Sequence, residues 1–157
     1  MTRRSRAREV ALQLLFQRDV NLSVPRPVIE RFARDRLGNP EAERFCLGLY
    51  DGVVRSLAEI DPRITAASEN WKLHRMAVTD RNVLRLGTYE IVFAQPPTPG
   101  PVALDEAIEL ARRYGTKDSP GFVNGVLDKV FRTHTEHQKQ PPRVPSTVPS
   151  PEPAAAE

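Results

Sequence analysis

A length of 157 residues bounds the protein at one domain with a sizeable core. The apolar fraction of 39% is low for a globular chain, with the deficit concentrated toward the C-terminus; a net charge of +3 and a pI of about 9.3 permit a polyanionic partner without demanding one. The single cysteine, Cys46, excludes an internal disulfide, and no apolar run approaches the ~20 residues of a membrane span.

The first helix is expected over Arg3–Gln17. Ala7, Val10, Ala11, Leu14 and Leu15 fall in one apolar arc, the mark of a helix laid on a core. Arg3, Arg4, Arg6 and Arg8 crowd its leading end with no acidic residue among them. At ~100° per residue, Phe16 projects roughly opposite the arc, beside Glu9, Leu12 and Gln13. An aromatic on the outer face is explained more easily by a partner than by the core. This basic start leads into an amphipathic helix, not an apolar signal segment, so a cytoplasmic protein is expected.

A polar connector follows from Asp19 to Val24, then a second amphipathic helix carrying Val28, Ile29, Phe32 and Ala33 and stopping near Gly38. Asn39-Pro40 pairs an N-cap residue with proline at the first helical position. The third stripe reads Ala42, Phe45, Cys46, Leu49, Val53, Leu57 and Ile60, and Asp61-Pro62 signals a short fourth helix through Ile64. Trp71 and Leu73 are expected in a connector, with Trp71 used for core or subdomain packing and not as an RNA platform. Thr79-Asp80 is expected to cap a central helix bearing Val83, Leu84, Leu86, Gly87, Ile91 and Ala94. Glu90 falls inside that arc and needs a partner, for which Arg75 and Lys129 are candidates.

Pro96, Pro97, Pro99 and Pro101 stop the fifth helix. The sixth spans Leu104–Tyr114, with Leu104, Ala107, Ile108 and Ala111 inward, Glu109–Arg113 as an exposed pair and Gly115 as its cap. Ser119-Pro120 starts the seventh, whose inner face is Val123, Val126, Leu127, Val130 and Phe131. No segment alternates as a strand does. The reading is all-α, about seven helices over residues 1–137. Residues 138–157, rich in Pro, Ser, Ala and Glu, are expected to form a disordered tail, because such a composition cannot offset the entropy of ordering.

His74, His134 and His137 do not combine with Cys46 into a metal-ligand spacing, and there is no phosphate-cradling glycine loop or elbow-type serine. Asp105, Glu106 and Glu109 read as a solvated helix face. The pattern is that of a binding protein with no cofactor, not of an enzyme.

The fragments ARE-ALQLLF (7–16), DRNVLRLGTYE (80–90), ALDEAIELARRYG (103–115) and DSPGFVNGVLDKVF (118–131) together resemble the NusB family of transcription antitermination proteins over residues 3–133. The resemblance implies a bundle of two packed three- or four-helix subdomains. It implies a non-catalytic factor that pairs with ribosomal protein S10 (NusE). With S10 it would bind boxA-type single-stranded RNA and join the RNA polymerase antitermination complex with other Nus factors, mainly on ribosomal RNA operons. It places RNA contacts at Arg4, Arg6, Arg8 and Phe122, and partner contacts at Phe16, Asp80 and Asp118; Arg3 joins the first set from the same cluster, and Glu9 and Leu12 join the second as neighbours of Phe16 on the outer face. Ser5 stands where some members carry a further arginine.

Each position has a plainer reading. The arginines could be a solvated terminus; Asp80 and Asp118 could simply cap their helices; Phe122 could be peripheral core. The helical domain also resembles the amino-terminal domain of certain ribosomal RNA cytosine methyltransferases, although 157 residues leave no room for a cofactor fold. Self-association into a homodimeric RNA-binding scaffold, known for some family members, stays open. A membrane is not an expected partner.

Overall fold

The computed structural model describes residues 2–69 and 71–139. Their α-helices are α1 (Arg3–Val20), α2 (Arg26–Leu37), α3 (Pro40–Arg55), α4 (Leu57–Ala67), α5 (Val78–Thr88), α6 (Gly100–Tyr114) and α7 (Ser119–Lys139). A 3-10 turn at Leu73–Arg75 precedes α5, and a π-helical turn at Tyr89–Phe93 follows it. Among the described residues there is no strand. α1, α2 and α3 pack on one another, α4 to α7 form a second bundle, and α1 against α5 joins the two. One core runs through both, with Leu14, Ile60, Leu84 and Leu127 fully enclosed.

Local signals set several helix ends. The Asn39 side chain accepts the Ala42 N–H at 3.0 Å, with Pro40 next, so α3 starts where the sequence indicates. Gly38 closes α2 in the left-handed region at φ 61°, a conformation that glycine adopts without a Cβ penalty. Gly52 is needed for a different reason: a Cβ there would collide with the Tyr89 ring, which packs across α3.

Several expectations need correction. α1 continues to Val20, through the expected start of the connector at Asp19. The third stripe breaks at Ser56, whose N–H is shared between the Gly52 and Val53 carbonyls at 3.1 Å each; Leu57 and Ile60 therefore belong to α4. Pro62 lies inside α4 and does not open a helix. Thr79 and Asp80 do not cap α5, which begins at Val78 with the Ala77 carbonyl accepting the Arg81 N–H. Trp71 is 59% exposed, not core. α7 reaches Lys139, two residues beyond the expected boundary of the tail, and the rest of that tail, 140–157, lies outside the described residues.

The helix directions place the surfaces of interest. Arg8 meets Glu90 near one end of α1, and Asp19 meets Arg81 and Asn82 near the other, so α1 and α5 are antiparallel. Ser5 bonds Glu106 while the Tyr114 hydroxyl bonds Glu9, so α6 runs parallel to α1. The basic start of α1, the π turn and the start of α6 share one end of the molecule. Phe16, Asp80, Tyr114 and the start of α7 share the other.

Candidate RNA and partner interface

At the basic end, Thr2 caps α1 by accepting the Ser5 N–H at 3.0 Å, which fixes the first turn carrying Arg3 and Arg4. That turn holds no acidic residue. Cations here oppose the positive end of the helix dipole, an arrangement that helix stability does not favour and an incoming anion would relieve. Arg3 and Arg4 are exposed and make no ion pair among the described residues. The Arg4 guanidinium lies 4.7 Å from the centre of the Phe45 ring on α3. The two arginines open onto a groove of 1040 Å³ whose other wall is α3 and the connector after the π turn.

Arg8 does not belong to this free set. It is 3% exposed, and its Nε and Nη2 reach Glu90 at 2.8–3.0 Å. Its Nη1 lies 3.6 Å from Glu106, and its guanidinium also sits 5.2 Å from the Phe45 ring centre. The expectation of an RNA contact at Arg8 is therefore corrected: a buried carboxylate claims it. Glu90, in turn, finds its partner in Arg8 and not in Arg75 or Lys129, which are exposed. Arg6 occupies an intermediate place, half-exposed with its Nη1 2.8 Å from Glu9.

Glu9 and Leu12 are corrected as well. Glu9 is 7% exposed and receives Arg6, the Tyr114 hydroxyl and, at 3.4 Å, Arg113. Burial and the Glu9 carboxylate both push the Tyr114 hydroxyl above the ordinary tyrosine range. Leu12 is 4% exposed. Glu9 faces α6, whose Arg113 and Tyr114 reach it across a flank that a single helical projection leaves open, while Leu12 joins the core.

Phe16, by contrast, is 46% exposed. It lines a second groove, of 500 Å³, with Leu12, Phe32, Tyr114, Gln13 and Asn82. Gln13 Oε1 and Asp80 Oδ1 are buried without a hydrogen-bond partner, a state that normally costs free energy. Below the groove, Asp19 accepts from Arg81 at 3.0 Å and Asn82 at 2.9 Å, with Arg85 at 3.5 Å. Arg85 also bonds Asp61 through Nε and Nη2, at 2.9 and 3.0 Å, so α1, α4 and α5 are tied at this end.

Phe122 is half-buried and meets Trp71 edge-on, with ring centres 6.3 Å apart at 62°. Asp118 is exposed just before α7. These two lie at the Phe16 end, about the length of α6 from Arg3 and Arg4; the structure does not bring Phe122 together with the arginines. Sequence reasoning also missed Arg44 and Gln95 on the basic groove and read Phe45 only as stripe. The available signal was Arg44 directly before Phe45 on a helix whose apolar arc Phe45 merely borders.

Residues 5–132 match the model of the NusB family. The chain belongs to the NusB family. It is 47% identical over 130 residues to the transcription antitermination protein NusB of Sorangium cellulosum, covering 83% of this chain and 92% of that one. Among solved structures, T. maritima NusB superposes with a TM-score of 0.75 at 36% identity, over 88% of this chain and 96% of that one. The antitermination factors NusB and NusE in complex with dsRNA include a chain that superposes at 0.75 with 26% identity, over 85% and 98%. This NusB fold carries no helix long and apolar enough to cross a membrane among the described residues.

Proposed function

We propose that this transcription antitermination factor of the NusB family binds boxA-type single-stranded RNA together with ribosomal protein S10 (NusE). In this reading it joins, in the cytoplasm, the RNA polymerase antitermination complex with other Nus factors, mainly on ribosomal RNA operons. The observation that carries the proposal is the division of one helix. The start of α1 holds guanidiniums without ion pairs among the described residues, and its far end holds an aromatic left outside the core. The relative solved with NusE and RNA supports both kinds of partner.

Arg3 and Arg4 would hold phosphates, which supply affinity and orientation, while splayed bases supply sequence preference. S10 would seat on the groove around Phe16, which Phe32 and Tyr114 also line, with Asp80 beside it. Asp118 and Phe122 belong to the composite surface at that end. S10 then extends the RNA surface, and the two binding events strengthen each other, typically by about 1–3 kcal/mol. Fluorescence anisotropy of labelled boxA RNA, with and without S10, tests this: tighter binding with S10 is expected. Equal affinities would remove the coupling, and no binding in either case would remove the RNA reading.

A further inference from the structure

The basic groove has a wall opposite α1 whose residues are suited to more than enclosing it. Arg44 is exposed on α3 with no ion pair among the described residues, and the neighbouring Phe45 lies half-buried under the Arg4 guanidinium. The ring also meets Arg8, which Glu90 locks in place. The connector brings Gln95, exposed, with an amide that both donates and accepts. Thr98 anchors that connector: its hydroxyl donates to the Glu90 carboxylate and its N–H to the Glu90 carbonyl, each at 2.9 Å. Both walls are thus pinned to the same buried pair.

We propose that this groove is a nucleotide subsite for single-stranded RNA, an inference that rests on the RNA-binding reading above. One unstacked base lies on the Arg4 guanidinium that rests on Phe45, its edge meets Gln95, and the flanking phosphates fall on Arg3 and Arg44. The charge balance selects the occupant. Glu90 is taken by Arg8 and Thr98, and Glu106 by Ser5 and Arg8, whereas Arg3, Arg4 and Arg44 have no carboxylate among the described residues. A guanidinium plane backed by an aromatic ring fits a flat, polarisable ligand better than an acidic peptide side chain. At 1040 Å³ the groove lies just above the range of small-ligand pockets, roughly 300–1,000 Å³, so it has room for a nucleotide.

The test uses the full chain with S10, labelled boxA RNA and a salt titration. Arg44→Ala is expected to flatten the logarithmic salt slope by roughly 0.7, the effect of releasing one phosphate. Arg4→Lys keeps the charge and removes the plane, so affinity falls about fivefold or more with the slope retained. Gln95→Ala narrows the preference for boxA RNA over polyuridine of equal length. Phe45 packs against the core, so Phe45→Leu is read only beside its melting curve; the exposed Arg4 and Arg44 carry the decision. S10 binding is unchanged in all of them. Wild-type behaviour of both Arg44→Ala and Arg4→Lys, or loss confined to Trp71→Ala and Phe122→Ala, overturns the subsite while RNA binding stands. No RNA binding by the unaltered chain with S10 ends both proposals.

Discussion

Arg8 and Glu90, 82 residues apart, form a buried two-pronged ion pair in which Nε and Nη2 of the guanidinium both reach the carboxylate. The pair joins α1 to the π turn, and Thr98 adds the following connector. An arginine that reads in sequence as part of a basic tip is thus a structural element, and its neighbours Arg3 and Arg4 remain for other molecules.

Removing one partner strands the other charge in the core, at a cost of about 3–5 kcal/mol. Arg8→Ala is expected to lower the melting temperature by about 10 °C or more. Arg8→Met combined with Glu90→Leu should recover much of that loss, because no buried charge is left. Thermal unfolding followed by circular dichroism checks both; a single variant melting like wild type would contradict the assignment.

Arg3→Ala with Arg4→Ala should have the opposite profile. Both side chains are exposed, so the melting temperature stays within a few degrees. RNA affinity falls, and the salt slope flattens by about 0.7 for each phosphate no longer held. An unchanged slope in an anisotropy titration would place the RNA elsewhere on the molecule.

Asp19 supplies a pH dependence. Burial raises its carboxyl pKa, but hydrogen bonds from Asn82 and Arg81 and the charges of Arg81 and Arg85 outweigh this, so it sits below the usual aspartate value. A carboxyl depressed in the folded state stabilises fully above its unfolded pKa, about 3.9, and the contribution fades as pH falls through the folded value. Asp19→Asn should therefore melt below wild type at neutral pH, with the difference shrinking below about pH 4. A deficit that persists or grows in acid would contradict the sign.

Much of this architecture was legible in the sequence because local chemistry dictates it. Asn39-Pro40 and Gly38 act within a turn or so of their own positions, and the stripes of α6 and α7 face the shared core they form with α5. What was not legible depended on neighbours. The apolar stripe runs unbroken through Val53, Leu57 and Ile60, so the break at Ser56 leaves no mark in periodicity. Pro62 is tolerated inside α4 because Ala58, whose carbonyl it leaves without a donor, is exposed to water. Glu9 and Leu12 project away from the main stripe of α1, yet both are buried, Glu9 under Arg113 and Tyr114 of α6 and Leu12 in the core; periodicity shows which side is apolar, not how many helices surround it. For the site, the outward projection of Phe16 followed from one helix alone. The sorting of Arg8 from Arg3 and Arg4 required Glu90 to arrive from a distant helix.

Phe16 is 46% exposed, so Phe16→Asp should leave the fold intact while placing a charge in the apolar groove where S10 would dock. The most direct test is the affinity for boxA RNA measured with and without S10, in wild type and in Phe16→Asp. Wild type should bind the RNA more tightly when S10 is present. Phe16→Asp should keep the S10-free affinity, helicity and melting temperature but lose the gain from S10. A variant that still gains from S10 as wild type does, or one that fails to fold, would contradict the division of α1 between the core and its partners.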